Sequence, residues 1–270
     1  MIEIAGITRK TDFSPGHIMN DYLIINKTKE ELEKLGAKVT LYSEDDLGVV
    51  EVKEDYIFSM VQGPVGTEKL SEIAADKKLI MNTPQSVMNC YRYNLIEIMK
   101  KNDIPFPESR IITDKYKIPE ELKNCKDGLW IKRGDAHASC KEDVVKVESY
   151  KEILPELNKF IKRGIERWAI QKHIEGNIIK FYGVTDTDFF YYYYQPSKYY
   201  NDFNESDLVA LANLAAEALG LDVYGGDAVI TENSDIIIID VNDWPSFAPI
   251  KDEASIVIAK KFFSKIEQLQ

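Results

Sequence analysis

Short apolar runs bounded by turns alternate with helical periodicities through the first third of the chain. Residues 3–8 read as a buried strand, and Ser14-Pro15-Gly16 is a turn placed to start a helix. Ile18, Tyr22, Ile25, Leu32 and Leu35 then recur close to the helical period, up to Gly36 as C-cap. Residues 38–42 and 56–61 follow as strands, the second ending in Gln62-Gly63-Pro64. Residues 69–76 read as a helix, and Leu79-Ile80-Met81 as a short strand. Strands in alternation with helices predict a parallel sheet covered on both faces.

Thr83-Pro84 opens a second piece. Val87, Cys90, Leu95, Ile98 and Met99 predict one helix over 86–102, broken by Ile104-Pro105-Phe106-Pro107. Strands are expected at 110–113 and 129–132, a polar loop at 133–140, and an amphipathic helix at 150–163. The last piece opens near Trp168, with strands at 169–173, 178–184, 189–194, 224–230 and 236–241. Its helices are 207–219, closed by Gly220, and 253–268, whose apolar positions Ile258, Phe262 and Ile266 most simply cover a sheet. No internal repeat and no low-complexity linker appears, so the pieces are expected to share interfaces.

Composition narrows this little. A chain of 270 residues suits two or three packed subdomains, and 44% hydrophobic with 29% charged residues is ordinary for a globular protein. No apolar run approaches the roughly 18 residues a membrane helix needs. Met1-Ile2-Glu3-Ile4 lacks the basic and apolar regions of a signal peptide. Cys90, Cys125 and Cys140 are odd in number and form no C-x-x-C pair, so neither a disulfide framework nor a zinc site is indicated. A reducing cytoplasm is the expected location. A net charge of −11 argues against a nucleic acid held through its phosphates, although a local lysine cluster can reverse the field inside a cleft.

Three groups of residues carry candidate chemistry. Asp240 and Asn242, two apart at the end of an apolar strand, present two oxygen ligands on one face, and Asp227 on a neighbouring strand adds a third. Hard oxygen ligands that leave positions open suit Mg²⁺ carrying nucleotide phosphates. The plainer reading makes 240–243 the polar end of a strand and Asp227 a turn residue. Lys132 ends a strand before a loop of mostly small or polar residues and would put a point charge on a phosphate; a solvated lysine is the alternative. Gln171-Lys172-His173-Ile174-Glu175-Gly176 offers backbone groups to a flat base, or is a β-turn.

Taken in order, Lys132, Gln171-x-x-Ile174-x-Gly176, Gly226-Asp227 and Asp240-Val241-Asn242 with Pro245 behind resemble the ATP-grasp superfamily. That superfamily includes the D-alanine–D-alanine ligases and ribosomal-protein glutamate ligases, and inositol trisphosphate kinases share its fold. The resemblance implies an α/β fold: a small N-terminal parallel α/β domain (1–83) before a two-subdomain nucleotide fold (84–168, and 169–270 carrying the metal). It implies ATP and Mg²⁺, with Mn²⁺ as an alternative. Arg92, Lys132 and Lys198 would contact phosphates, and Gln171, Lys172 and Ile174 would form the adenine hinge. Asp227, Asp240 and Asn242 would bind metal, and Lys180 and Lys198 would take catalytic roles. His17, His137 and Ser246 are candidate acceptor or loop contacts. His137 otherwise reads as an exposed loop residue, and His173 as packing.

Three departures accompany the likeness. Asn177 and Ile178 stand where many members hold ribose with an acid. Gly225 stands where D-alanine ligases carry arginine, and Ser246 where glycine usually follows the late proline. The leading expectation is a carboxylate–amine ligase working through an acyl phosphate on a small-molecule or peptide acceptor. A small-molecule kinase and a non-catalytic nucleotide binder are the rivals. No nucleic-acid or membrane partner is expected, and oligomeric state is open.

Overall fold

The computed structural model describes residues 1–14, 16–125, 127–195 and 202–269. Strands β1 (Glu3–Thr8), β2 (Lys38–Ser43), β3 (Tyr56–Ser59) and β4 (Leu79–Met81) form a wholly parallel sheet in the order β2-β1-β3-β4. Helix α1 (Ile18–Lys34) covers one face, and α2 (Pro64–Ala74) packs on the other, its Leu70 against Ile7 and Ile57. The sequence expects this alternation. Helix α2 starts earlier than its apolar pattern does, because Pro64 at the first helical position has φ pre-set and no N–H to satisfy.

The helix expected over 86–102 is two: α3 (Pro84–Asn89) and α4 (Arg92–Lys101). Thr83 caps α3 by accepting from Ser86 N. Tyr91 between the helices is extended, and its hydroxyl donates to the Gln62 carbonyl at 3.1 Å. That tether redirects the chain and sets Arg92 in the first turn of α4.

Strands β5 (Ser109–Ile112), β6 (Leu129–Arg133), β7 (Val144–Val147) and β8 (Trp168–Lys172) form an antiparallel sheet, order β5-β8-β6-β7, backed by α5 (Tyr150–Lys162). Strand β7 was not expected. The division expected at 168 falls at the start of β8, which sits between β5 and β6; the strand belongs to this middle unit because both its edges are hydrogen-bonded there. The last sheet, also antiparallel, is β9 (Asn177–Val184), β10 (Phe190–Tyr194), β11 (Val223–Ile230) and β12 (Ile236–Asp243), order β10-β9-β11-β12. Helix α6 (Glu205–Leu219), ended by Gly220 at φ 74°, packs on one face with α4.

Helix α7 (Lys251–Glu267) lies beside α1, and its Ile258, Phe262 and Ile266 enter a core shared with Phe58 of the first sheet and Tyr182 of the last. The first and last units are therefore fused through apolar packing. Asn82 completes the joint: its amide donates to Val223 O at 2.7 Å and accepts from Asp222 N and Val223 N at 2.9 and 3.0 Å. Among the described residues no helix is long and apolar enough to cross a membrane.

Replacing Asn82 with alanine leaves the Asp222 and Val223 N–H groups without this partner, while the Val223 carbonyl keeps Trp244 N at 3.1 Å. Urea unfolding should show a loss of about 3 kcal/mol, the scale of two unsatisfied groups; a change below about 1 kcal/mol would mean the joint rests on apolar packing alone.

Candidate active site

Antiparallel register brings the charged residues of the last sheet into one row. Lys180 on β9 faces Asp227 on β11, which faces Asp240 on β12. Two residues along, on the same face, Tyr182, Gly225 and Asn242 form the next row. A bulge follows Asp227: Asp227 pairs with Asp240 but Ala228 pairs with Ile238, so Ile239 is the extra residue. Its carbonyl lies 3.4 Å from Lys132 Nζ, reaching across from β6. Glycine at 226 is required, since a Cβ there would fall 2.4 Å from the Asp240 carbonyl oxygen and 2.5 Å from the Phe181 ring.

Each of the two adjacent carboxylates in this row is paired with a cation on its outer side. Lys180 Nζ is 2.6 Å from Asp227 Oδ1, and Arg92 Nη2 is 2.8 Å from Asp240 Oδ2. Burial draws the Lys132 ammonium down to about 8, and the charge of Arg92 pushes the same way against Asp240 and Asp227. Burial also raises Asp227, with Lys180 opposing. For Asp240 burial works upward too, but Arg92, Lys132, His137 and Lys180 outweigh it and hold the carboxyl below its ordinary range. Burial would lower Lys180, and its ion pair with Asp227 overcomes this and raises it.

Two cavities meet at this row, and Asp227 lines both. The larger, about 390 Å³, lies between the middle and last sheets. Trp130, Ile174, Ile178 and Val229 give it apolar walls, and Arg92 and Lys132 charge one end. Gln171 lines it and donates to Ser109 Oγ at 3.3 Å. Lys172 lines it as well, but its ammonium pairs with Glu108, which raises it, and its N–H is taken by the Glu108 carbonyl at 2.9 Å. His173 accepts from Trp130 Nε1 at 3.1 Å, holding that wall in place. The space suits a flat heteroaromatic base with its phosphates toward Lys132.

The smaller cavity, about 200 Å³, opens on the other side of Asp227 toward the first sheet. Lys180, Asn242, Ser246 and the exposed His17, at the start of α1, line it; His137, the other candidate acceptor contact, does not. The sequence does not single out Arg9, Asp21 and Gln62, which also line it. Arg9 donates to Asp21 at 2.9 Å and to the Trp244 carbonyl at 2.6 Å, and Ser14 donates to Asp21 at 2.6 Å. Arg9 and Gln62 follow β1 and β3, neighbours in the sheet from which the chain runs off in opposite directions. Ligands gather at such a switch point, but its position depends on strand order.

Two expectations change. His137 is not an exposed loop residue: it is buried, 5.5 Å from the Tyr91 ring and 2.9 Å from Asp243 Oδ1. Asp243 does not end β12 in a polar turn but is fully buried, because β12 runs on to pair with Tyr224. The turn beyond it carries Trp244 and Phe247 at φ 34° and 47°, a region bulky residues rarely adopt. Both are anchored in the core, Trp244 against Phe58 and Phe247 against Tyr182. The aromatic strand splits as alternation expects: Tyr191 and Tyr193 lie beside Tyr182, whereas Tyr192 and Tyr194 meet Phe203. Lys198 lies outside the described residues.

Asp227, Asp240 and Asn242 fit a hard divalent cation. Their donors are all oxygen, and among the described residues hydrogen bonds take one oxygen of each carboxylate, leaving the other for a metal. Two carboxylates and an amide leave further positions for phosphate oxygens. The sequence matches no protein-family model and no curated protein sequence. Solved structures do match. D-alanyl-alanine synthetase A from Vibrio cholerae superposes with a TM-score of 0.73 at 12% identity, over 99% of this chain and 98% of that one. D-alanine–D-alanine ligase from Bacillus anthracis complexed with ATP gives 0.73 at 13% identity, over 100% and 97%. A RimK-domain ATP-grasp protein from Sphaerobacter thermophilus gives 0.71 at 15% identity, over 97% and 99%. The chain has the ATP-grasp fold.

Proposed function

We propose that this chain, with its ATP-grasp fold, is a carboxylate–amine ligase that uses Mg-ATP to activate the carboxylate of a small acceptor. The observation that carries the reading is that one carboxylate, Asp227, lines both cavities. A phosphoryl group bound from the Lys132 side would meet an acceptor bound from the Lys180 side at that residue.

In this reading the base lies against Trp130 and Ile174 with Gln171 at its edge, and Arg92 and Lys132 face the phosphates. Mg²⁺ held by Asp227, Asp240 and Asn242 would neutralise phosphate charge. An acceptor carboxylate oxygen attacks the γ-phosphorus, the bond to the β–γ bridging oxygen breaks, and ADP leaves. The amine then adds to the acyl carbon and loses a proton, and phosphate departs. Lys180, kept charged by Asp227, stabilises the oxyanion formed on that carbon.

Charge on the acceptor side favours this over the kinase reading. Arg9 and Lys180 are both committed to carboxylates, and Asp243 adds a third negative group to that wall. Such a lining suits an acceptor with few negative charges better than a polyphosphate. The test is product analysis with ATP, Mg²⁺ and panels of carboxylates and amines. A ligase releases ADP, phosphate and amide in equal amounts; ADP with a phosphorylated acceptor and no free phosphate would establish the kinase instead.

Asp240→Asn removes a carboxylate facing the proposed metal and should lower Mg²⁺-dependent turnover by at least about a hundredfold, the scale of losing one preorganised electrostatic partner. Unchanged magnesium dependence would take Asp240 out of the site.

Lys132 adds a pH dependence. Below about 8 its ammonium is charged and attracts phosphate; above about 8 it is neutral in the free protein. Bound phosphates raise it again, so binding takes up a proton there. ATP affinity should fall through that range by up to about tenfold per pH unit, with proton uptake seen calorimetrically in buffers of different ionisation heat. Lys132→Met should bind more weakly and show no such slope; the same slope in that variant would assign it to another group.

A further inference from the structure

Gln62, His137 and Asp243 come from the three structural units and meet in the interior between the two cavities. Gln62 follows β3, His137 lies in the loop after β6, and Asp243 ends β12. Each is more than nine-tenths buried. Gln62 Nε2 donates to Asp243 Oδ1 at 3.2 Å. His137 Nε2 lies 2.9 Å from the same oxygen but out of line for a hydrogen bond, and among the described residues Asp243 Oδ2 has no partner. Tyr91 closes the group, its ring edge-on to His137 and its hydroxyl on the Gln62 carbonyl and 3.2 Å from Thr67 Oγ.

The loop that carries His137 is pinned at its ends. Gly134 N donates to the Arg167 carbonyl at 2.9 Å, and the Gly134 carbonyl accepts from Tyr93 N at 3.1 Å. Ser139 N and Oγ both donate to Asp143, at 2.8 and 3.0 Å. What seats the middle of the loop is His137 against Asp243. Its neighbour Ala138 lines the larger cavity, while Gln62 and Asp243 line the smaller one. The group therefore lines the smaller cavity and adjoins the larger one through Ala138, and its polar atoms are incompletely matched, so a small movement of the loop can improve their alignment.

We propose that Gln62, Asp243 and His137 form a latch coupling the acceptor cavity to the loop beside the nucleotide cavity, so that Gln62 on the acceptor side sets how tightly Mg-ATP is held. This rests on the nucleotide reading given above. Gln62 and His137 are positioning residues; neither acts on the reacting atoms. The latch has a direction: whatever draws Gln62 or Asp243 toward an acceptor shifts His137 and the loop with it.

The test measures dissociation constants for Mg²⁺ with a non-hydrolysable ATP analogue by calorimetry, on wild type, His137→Ala, Gln62→Met and the double variant. Methionine keeps the length of Gln62 and removes its amide. His137→Ala should weaken binding about tenfold and Gln62→Met about fivefold, with the double variant no weaker than His137→Ala alone, since residues in one network are not additive. Tyr91→Phe, which deletes only the hydroxyl tether, should move affinity in the same direction and serves if Gln62→Met folds poorly. Wild-type affinity in a folded Gln62→Met or Tyr91→Phe protein, or losses that simply add, would overturn the latch while leaving the nucleotide site standing. Absence of saturable binding in the wild type would overturn the nucleotide assignment and the latch together.

Discussion

Two adjacent buried carboxylates, each paired with its own cation, are the constraint on which the site depends. Asp227 and Asp240 are cross-strand neighbours of like charge, held by Lys180 on one side and Arg92 on the other at a seam between sheets. Taking each ion out of water costs several kcal/mol even after relaxation, so each must have its partner in place. That need connects features that look independent along the chain. The break between α3 and α4 delivers Arg92 to Asp240, and Gly226 lets β11 lie close enough to β12 to set Asp227 beside it. The bulge at Ile239 turns a backbone carbonyl toward Lys132.

Such a row holds its shape only on a firm support. The opposite face of the same sheet supplies it, with Phe181, Ala228 and Val241 packed under α6 and α4. Helix α7 and Asn82 lock the first sheet to the last. The acceptor-side cavity is thereby walled by two units that do not slide on each other, and the loops after β1 and β3 are presented to Lys180 in fixed positions. Glu44 ties those loops together, accepting from Lys10 N and Gly63 N at 2.9 and 3.0 Å.

The two cavities differ in chemistry as their proposed occupants do. Flat apolar walls with a cationic end suit a nucleotide; a polar lining with more carboxylates than cations suits a small acceptor with few negative charges. Asp227 stands where they join, and Gln62, Asp243 and His137 give a second, buried connection between them.

Local pattern sufficed for most elements and for the faces on which Asp240 and Asn242 stand. Alternation along 236–243 puts Asp240 and Asn242 on one face, and apolar runs place Lys132 and Gln171 on strands. The ordered set of motifs pointed to the fold that the solved structures share. What local pattern does not carry is strand order and cross-strand register, which depend on contacts between residues far apart in the chain. Arg9 and Gln62 reach the acceptor cavity only because β1 and β3 are neighbours. His137 and Asp243, read as exposed loop and polar turn, are buried because Tyr91 and Gln62 cover them. The helix over 86–102 breaks because a tether from Tyr91 to Gln62, across a subdomain boundary, outweighs an unbroken helical periodicity. Periodicity and residue chemistry nominated candidate side chains; which residues share a cavity was decided by long-range packing, since burial and pairing are properties of neighbours in space.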